Sequence, residues 1–377
     1  MSGVNEVSPR ELKALLDDGQ INFIFDLRNE DEFDAWHIEG RTEAETINIP
    51  QIKFVGEEEK YFDRFPKDRQ IVAICAHGDS SKYSAEILRE KGLNAISLAG
   101  GMDAWSEFYE TRRISDTPLI YQSYRVARGC ISYLIVSGEE AVVIDATRHT
   151  GLITSLTKES RVNIKHVFDT HLQADHISGG REIAALAGAP YHIHPLDVEG
   201  ASYDFMPLKD GYSIRFGDCT IQVVHTPGHT PGSTSFLLDK HFLFTGDTIM
   251  KTSIGRPDLG NKAKDWSRLL YRTLFDKLAS FADELVVLPT HATSIREQDS
   301  RGIVLTTLGE ARRDIELFGV RNPDDFDSYI MSSLPENPER YQEIRKVNLG
   351  LLEPDDKKKK ELEIGKNLCG MAKAVAR

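Results

Sequence analysis

The chain has 377 residues, 40% of them hydrophobic and 28% charged, which is typical of globular proteins and long enough for two domains. Its formal net charge of −13 would repel nucleic-acid phosphates and anionic lipid head groups, so neither is an expected partner. No apolar run approaches the length of a membrane span, and the four widely spaced cysteines lack a CxxC pair, which fits a reducing cytoplasm. The sequence leaves the oligomeric state open, a homo-oligomer included.

Short apolar strands alternate with helices in residues 1–110. Ser8-Pro9-Arg10-Glu11 carries an N-cap, a proline at the first helical position and a capping-box acid, so a helix is predicted to begin there. Strands are predicted at Phe23–Asp26 and Ile71–Ile74, and a helix from about Ser81 to Gly92. This alternation indicates a small α/β domain with a parallel sheet.

Cys75 lies between the predicted strand at 71–74 and the helix that follows it. Loop amides and the positive end of that helix would favour a thiolate, and equally a persulfide anion, over the neutral thiol. A buried and inert cysteine is the commoner state of a lone cysteine. The position of Cys75 at the start of a helix nevertheless favours a reactive role.

Residues 1–110 resemble a rhodanese domain. The resemblance rests on the loop after Cys75 and on four further stretches: Asp26-Leu27-Arg28, His37-Ile38-Glu39-Gly40, Ile47-Asn48-Ile49-Pro50 and the segment 98–105. It implies that Cys75 is a nucleophile that carries sulfane sulfur as a persulfide. Many rhodaneses hold arginines in this loop to receive thiosulfate, whereas this chain has Ala76, Asp79 and Ser80, with His77 as the one cation available for substrate binding. The resemblance therefore favours a persulfide as sulfur donor or acceptor.

Residues 111–117 are polar and charged and lead into Pro118, which predicts a linker. In residues 118–300, apolar runs at 131–136 and 141–145, 214–216 and 219–224, and 235–238 and 241–244 flank short turns, which predicts three hairpins. Helices are predicted at 180–187 and 265–278. We expect two mixed sheets sandwiched between helices, followed by a polar, helical C-terminal extension over residues 301–377.

A cluster of potential metal ligands follows the apolar run Val167-Phe168. His171, Asp175 and His176 fall within six residues, and we expect Asp175 and His176 at the start of the next helix. Three more potential ligands are His229, Asp247 and His291, and each of them stands at the end of its own apolar run. A set of surface histidines would not explain this placement, so the sequence predicts a metal site built from loops at one edge of a sheet.

These ligands resemble the HxHxDH signature of the metallo-β-lactamase fold superfamily, which implies an αββα sandwich over residues 118–300. The binuclear zinc hydrolases of that superfamily have a histidine where this chain has Gln173, and glutamine is a poor zinc ligand by comparison. Without Gln173, two imidazoles and one carboxylate remain, from His171, His229 and Asp247. That set is the facial triad of non-haem iron(II) oxygenases.

The chain is further similar to the persulfide dioxygenase branch of the superfamily, in which the matching residues hold a single Fe²⁺. By this resemblance Asp175, His176 and His291 would orient ligands and protons, while the competing view keeps them as a second metal site. Arg256, in Gly255-Arg256-Pro257-Asp258, would bind the glutathione moiety. A structural pair between Arg256 and Asp258 is the alternative reading of that residue.

Together the two resemblances imply iron-dependent oxidation of a persulfide such as glutathione persulfide by O₂ to sulfite and thiol. Cys75 would couple this reaction to sulfane sulfur transfer, with sulfite or thiosulfate as partner. A binuclear enzyme with two Zn²⁺ that hydrolyses thioesters or lactones is the main alternative. A non-enzymatic sulfur carrier that uses Cys75 alone is a weaker one, because it leaves the ligand set without a purpose.

Overall fold

The structure is a computed structural model that describes residues 5–260, 262–334, 339–365 and 368–371. The chain divides into two compact units, one made of Met1–Glu110 with Arg125–Arg128 and the other of Thr111–Tyr124 with Gly129–Arg377. Within the described ranges, no helix is both long enough and apolar enough to cross a membrane.

The first unit is an α/β domain around a five-stranded parallel sheet with the strand order β1-β5-β4-β2-β3. Its elements are β1 (Glu6–Val7), α1 (Pro9–Asp17), β2 (Phe23–Asp26), α2 (Glu30–Ala35), β3 (Glu45–Asn48), α3 (Gln51–Phe54), β4 (Ile71–Ile74), α4 (Asp79–Glu90), β5 (Ala95–Leu98) and α5 (Gly101–Ser106). The predicted parallel α/β architecture is confirmed.

Local sequence explains where the first helix begins. Ser8 caps α1 through its side chain, and Glu11 reaches back to the Ser8 backbone amide to complete the capping box. On one side of the sheet, the buried rings of Phe23, Phe25 and Phe54 pack edge-on around Phe65. This core fixes the carboxyl end of β4, from which Cys75 leaves the sheet.

The second unit contains two mixed sheets. The seven-stranded sheet has the order β12-β11-β10-β9-β8-β7-β6, and the six-stranded sheet has the order β13 through β18. The strands of the first sheet are β6 (Tyr109–Asp116), β7 (Leu119–Arg125), β8 (Ile131–Ser137), β9 (Glu140–Ile144), β10 (Asn163–Phe168), β11 (Tyr191–Ile193) and β12 (Met206–Pro207). Those of the second are β13 (Ser213–Phe216), β14 (Cys219–His225), β15 (Thr234–Leu238), β16 (Phe242–Gly246), β17 (Val286–Pro289) and β18 (Thr306–Thr307). All three predicted hairpins form, as β8–β9, β13–β14 and β15–β16.

The two sheets face each other across a shared apolar layer. Tyr133 of β8 stacks edge-on against Phe244 of β16 and donates its hydroxyl to the carbonyl of Pro289. Phe168 of β10 lies 5.0 Å from Phe236 of β15 between ring centroids. Side chains of both inner faces therefore form one core, as a sheet sandwich requires.

Helices cover the outer faces of this sandwich, which confirms the predicted αββα architecture. They are α6 (Gly151–Ser160), α7 (Gly180–Ala187), α8 (Ala263–Arg272), α9 (Leu308–Asp314) and α10 (Pro323–Ser332), with a π-helical turn at Thr273–Lys277 after α8. Two further helices, α11 (Glu339–Asn348) and α12 (Asp356–Leu362), pack instead beside Ile177, in the loop before α7. Ile183 of α7 packs in the cluster with Val143 and Val167 of the seven-stranded sheet. Leu270 of α8 and Phe326 of α10 share a cluster with the six-stranded sheet.

The segment 111–117 was predicted to be a linker, but most of it lies in β6 at the edge of the seven-stranded sheet. An edge strand can carry charged and polar side chains because part of it faces solvent. Arg113 and Asp116 of this strand pair with each other at the surface. The polar composition therefore resembled that of a linker although the backbone is extended.

Candidate active sites

Three loops bring together two histidines and an aspartate at the ends of strands. His171 follows β10, His229 lies between β14 and β15, and Asp247 comes directly after β16. Nε2 of His171 lies 3.8 Å from Oδ2 of Asp247, and Nε2 of His229 lies 3.5 Å from the same oxygen. All three side chains are buried, so their polar atoms need a partner inside the protein.

Within the described residues, Nε2 of His171, Nε2 of His229 and Oδ2 of Asp247 have no hydrogen-bond partner. Leaving such atoms unpaired in a buried site costs free energy, unless a group that the structure does not contain completes them. One ligand atom from each residue lies within 4.8 Å of the other two, a spacing that suits a single central cation. The three residues therefore fit a metal ion.

The opposite ring nitrogens hold these histidines in a ligand orientation. His229 donates from Nδ1 to the carbonyl of Arg256 at 2.8 Å, which leaves Nε2 with a lone pair for the metal. Nδ1 of His171 lies 2.9 Å from the hydroxyl of Thr170. Burial lowers the pKa of His171 to about 3, so its imidazole is neutral, as a metal ligand must be.

Asp175, His176 and His291 form a second group, joined by Cys130, in which the polar atoms already contact one another. His176 donates from Nδ1 to Asp175 at 3.0 Å, and His291 contacts the other Asp175 oxygen through Nε2 at 3.0 Å. The Cys130 thiol donates to Asp175 at 3.3 Å. Nε2 of His176 and Nε2 of His291 have no hydrogen-bond partner among the described residues, and the four residues offer ligand atoms within 4.8 Å of one another.

The electrostatics of the second group are those of an internal ion cluster. Burial opposes every charge there, yet His291 and His176 hold the pKa of Asp175 well below its usual range. Cys130 and Asp175 together outweigh burial and raise the pKa of His176 to about 10. Burial and Asp175 oppose ionisation of Cys130, but His176 and His291 lower the pKa of its thiol overall. The charges of this cluster are therefore strongly coupled to one another.

Asp175 and His176 were predicted at the start of a helix, but they lie in an irregular loop that ends where α7 begins at Gly180. Asn348 of α11 holds this loop in place. Its side-chain amide donates to the carbonyls of Gln173 and His176 at 2.9 and 2.8 Å, and its oxygen accepts from the amide of Ser178. The C-terminal extension therefore fixes the ligand loop.

Asp197 connects the two histidine loops to each other. Its carboxylate accepts from the amide of Leu172 on one side and from the amide of Gly232 and the hydroxyl of Thr230 on the other. Neither Asp197 nor Asn348 was predicted as a site residue. An aspartate in a short turn carries no recognisable motif, and the sequence pattern around Asn348 does not specify what its side chain contacts, so only the fold shows what the two residues do.

Gln173 forms a hydrogen bond through its side-chain nitrogen, which leaves the side-chain oxygen available. Its amide donates from Nε2 to Oδ1 of Asp145 at 3.1 Å, and the same oxygen accepts from the amide of Thr170 at 2.8 Å. Among the described residues, Oε1 of Gln173 has no partner although the side chain is buried. An amide oxygen is a weaker ligand for zinc than the imidazole of related hydrolases.

The guanidinium of Arg256 is fully buried and forms a two-pronged ion pair with Asp258, with both nitrogen–oxygen distances at 2.6 Å. It also contacts the carbonyl of Leu368 at 3.5 Å. This is the structural pair left open as the alternative in the sequence. A role of Arg256 in glutathione binding stays a prediction.

Cys369 also lies beside the metal ligands, although the sequence did not predict it as a site residue. Its backbone carbonyl accepts from the amide of Arg256, and the amide of Met371 donates to Ile254, so this C-terminal segment lies along residues 254–256. Cys369 can contribute a ligand atom within 4.8 Å of those of Asp247 and His291. Burial and the carboxylates of Asp175 and Asp247 raise the pKa of this thiol well above its usual range.

Cys75 of the first unit lies where β4 leads into the first turn of α4. Its sulfur accepts from the amides of Gly78 and Ser81 at 3.1 and 3.3 Å and lies 3.2 Å from the Ser81 hydroxyl. Close packing keeps this loop small, since a Cβ on Gly101 would lie 2.3 Å from the Cys75 carbonyl oxygen. Backbone amides at a helix N-terminus stabilise an anionic sulfur, either a thiolate or a persulfide.

His77 stands apart from the sulfur. Its ring is largely exposed and pairs through Nδ1 with Asp103 at 2.8 Å. His77 nevertheless lines a pocket whose wall also includes Cys75. The predicted substrate-binding role of His77 stays a prediction.

Two family models match the chain. The rhodanese-like domain model matches residues 8–108, and the metallo-beta-lactamase superfamily model matches residues 125–291. The human persulfide dioxygenase ETHE1, a mitochondrial protein, is 31% identical over 199 residues, which cover 52% of this chain and 73% of the human protein. The chain belongs to the metallo-beta-lactamase superfamily and carries an N-terminal rhodanese-like domain.

The chain is similar to further proteins as well. An uncharacterized protein of Mycobacterium leprae is 32% identical over 213 residues, covering 49% of this chain and 91% of that protein. Among solved structures, a metallo-beta-lactamase from Staphylococcus aureus matches with a TM-score of 0.54 at 27% identity over 62% of this chain and 73% of that one. ETHE1 from Myxococcus xanthus matches with a TM-score of 0.52 at 25% identity, over 64% of this chain and 100% of that one.

Proposed function

We propose that the second unit is a persulfide dioxygenase that uses one ferrous ion held by His171, His229 and Asp247. The observation that carries the proposal is the approach of three buried ligand atoms, Nε2 of His171, Nε2 of His229 and Oδ2 of Asp247, none of which has a hydrogen-bond partner among the described residues. In the second group, Nδ1 of His176 and Nδ1 of His291 bond to Asp175 and Asp247, while the two Nε2 atoms have no hydrogen-bond partner in the same part of the chain. We propose that one cation completes the first group. Two imidazoles and one carboxylate are the ligand set of mononuclear non-haem iron oxygenases.

The reaction consumes one persulfide, one dioxygen and one water, and yields one thiol and one sulfurous acid, which ionises to sulfite. The outer sulfur of the persulfide is oxidised and dioxygen is reduced. Bound iron would supply open positions where persulfide sulfur and dioxygen meet, which removes much of the cost of their encounter. Similarity to persulfide dioxygenases over 52% of the chain supports this choice of substrate.

The protein residues around the ion have distinct tasks in this proposal. His229 is oriented by the Arg256 carbonyl, and His291 occupies Oδ1 of Asp247 so that Oδ2 remains for the metal. The raised pKa of His291, which Asp175 and Asp247 produce against the effect of burial, keeps a proton between the two carboxylates. That proton can neutralise negative charge that develops when the persulfide anion is oxidised.

In the first unit, Cys75 would accept sulfane sulfur as a persulfide and pass it on to sulfite or to a thiol. The two amides that contact its sulfur support an anionic carrier. Transfer to sulfite would give thiosulfate and regenerate the Cys75 thiol, and the reverse reaction would generate a persulfide. The presence of both units in one chain favours a sulfur intermediate that the two units share. Glutathione persulfide is the donor that we propose to test first.

The test measures dioxygen uptake and sulfite release on addition of glutathione persulfide to iron-loaded protein. Asp247→Ala should abolish both, while Cys75→Ser should leave sulfite release intact and abolish thiosulfate formation. A binuclear zinc hydrolase is favoured by Nε2 of His176 and Nε2 of His291, which have no hydrogen-bond partner among the described residues and belong to a second group with the spacing of metal ligands. It would instead hydrolyse thioesters or lactones and show no dependence on dioxygen.

A further inference from the structure

A buried hydroxyl of strand β5 lies beside the loop of Cys75. Ser97 stands between the apolar residues Ile96 and Leu98, its side chain is fully buried, and its Oγ lies 2.9 Å from Oγ of Ser81. Burial of a hydroxyl costs free energy unless the group is hydrogen-bonded. The contact with Ser81 therefore accounts for a serine in an otherwise apolar strand.

Ser81 joins this hydroxyl to the sulfur of Cys75. Its own Oγ lies 3.2 Å from Sγ of Cys75 and 2.9 Å from the carbonyl oxygen of Gly78. A hydroxyl has a single proton, so Ser81 can donate to only one of these acceptors at a time. The Gly78 carbonyl also accepts from the amide of Lys82 at 3.2 Å, so it keeps a donor when the Ser81 proton turns to the sulfur.

The direction of these hydrogen bonds depends on the charge of the sulfur. A neutral Cys75 thiol can donate to Oγ of Ser81, whose proton then goes to the Gly78 carbonyl. An anionic sulfur can only accept, so the Ser81 proton turns to it and Oγ of Ser81 accepts from Ser97. Each hydrogen bond in such a chain polarises the next one, which strengthens the bond to the anion.

Negative charge resides on Sγ of Cys75 at two points of the proposed sulfur transfer. The thiolate attacks the outer sulfur of a donor persulfide, the new sulfur–sulfur bond forms, and the donor thiolate leaves and takes up a proton. Sulfite then attacks the outer sulfur held by Cys75, the bond to Sγ breaks, and its electron pair returns to Sγ. The products are thiosulfate and the Cys75 thiolate, so the transfer needs no external oxidant.

We propose that Ser97 is a positioning residue that acts through Ser81 to stabilise the anionic Sγ of Cys75, both when it attacks and when it leaves. This inference rests on the proposed role of Cys75 as a sulfur carrier and adds a residue from outside its loop. The amides of Gly78 and Ser81 supply two donors to the sulfur, and the hydroxyl chain supplies a third. Without the Ser97 hydroxyl, the thiolate forms less readily and leaves more slowly.

Two readouts on the anaerobic full-length protein test this role. The rate of Cys75 alkylation by iodoacetamide, followed by peptide mass spectrometry, reports the thiolate as a function of pH. The rate at which persulfidated Cys75 converts sulfite to thiosulfate reports the leaving group. We expect Ser97→Ala to shift the alkylation profile to higher pH and to slow both reactions about threefold near neutral pH, as loss of one hydrogen bond does.

Matched variants separate the hydroxyl from its place in the core. Ser97→Thr keeps a hydroxyl on the strand and should restore both readouts. Ser84→Ala removes a buried hydroxyl of α4 that has no hydrogen-bond partner among the described residues, and it should change neither readout. The charged groups that line the Cys75 pocket stay the same in every variant, namely Arg28, Glu32, His77 and Asp79.

An alkylation profile of Ser97→Ala that coincides with that of the wild type would overturn the inference. An equal shift in Ser84→Ala, or a shift that Ser97→Thr does not reverse, would overturn it as well, because either result points to packing rather than to the hydroxyl. If the wild type transfers no sulfur to sulfite, the carrier role in the proposed function fails. The alkylation profile then still tests the contribution of Ser97 by itself.

Discussion

His291 donates from Nδ1 to Oδ1 of Asp247 at 2.6 Å, and this contact gives the two oxygens of the carboxylate different roles. Oδ1 is held by His291 and also accepts from the Thr290 hydroxyl, while Oδ2 lies near His171 and His229. We therefore expect His291→Ala to weaken iron binding about 10- to 100-fold, as loss of a ligand-orienting group does. Competition with a chelator measures the change. His241→Ala, at an exposed histidine, is the control, and equal affinity of the two variants would contradict the assigned role.

Gln173→His should change the metal content of the protein. The new imidazole can keep the contact with Asp145 that the glutamine amide makes, and it adds a strong zinc ligand next to His171. We expect the variant to bind zinc more tightly than the wild type and to lose dioxygenase activity. Metal analysis after growth with equal iron and zinc gives the readout. A variant that retains iron and activity unchanged would show that Gln173 does not select the metal.

Asn348→Ala should destabilise the ligand loop, since the carbonyls of Gln173 and His176 and the amide of Ser178 would lose their partner. Unsatisfied buried groups of this kind cost about 1 to 3 kcal/mol each in the free energy of unfolding. Urea unfolding measures the loss, and Asn163→Ala at an exposed position is the control. We also expect weaker iron binding. An unchanged metal affinity would mean that α11 stabilises the fold without positioning the ligands.

Asp145 predicts a pH dependence of stability. Burial, and secondly the charge of Asp169, raise the pKa of Asp145 from 3.8 to about 8. The folded protein therefore keeps a proton that the unfolded chain releases, so the free energy of unfolding should fall as pH rises from about 4 to about 8. In Asp145→Asn this contribution disappears and the pH profile should be flatter. Parallel profiles for the two proteins, from urea unfolding, would refute the assignment.

Arg256→Ala distinguishes a structural from a substrate-binding role. Removing the guanidinium leaves the Asp258 carboxylate in a largely buried position, which typically costs about 3 to 5 kcal/mol in the free energy of unfolding. We expect that loss in a denaturation experiment. Normal stability combined with a raised KM for glutathione persulfide would instead support the glutathione contact.

The sequence predicted those parts of the molecule that depend on local patterns. Alternating runs located the three hairpins, and ligand types at the ends of apolar runs gave His171, His229 and Asp247, which the fold brings together. The polar composition of residues 111–117 predicts a linker, but most of this segment lies in the edge strand β6, where polar residues are tolerated as well. The C-terminal extension was predicted to be polar, yet Phe326 is fully buried in the core of the second unit.

Contacts between distant segments could not be predicted in this way. Asn348 lies 175 positions from Gln173 along the chain, and Cys369 reaches the metal ligands only because residues 368–371 pair with residues 254–256. Such pairings depend on tertiary packing, and a single sequence contains no periodic signal for them. Whether Arg256 forms a structural ion pair or contacts a substrate likewise depends on its burial, because the sequence of this segment is compatible with both.

The metal content of protein purified without oxygen, measured together with dioxygen uptake on addition of glutathione persulfide, tests the central claim most directly. We predict iron at about one equivalent per chain, with prompt dioxygen consumption and sulfite release, because three buried ligand atoms lie within 4.8 Å of one another, a spacing that suits a single cation. Zinc at about two equivalents per chain with no dioxygen uptake would contradict it and would identify the second unit as a binuclear hydrolase.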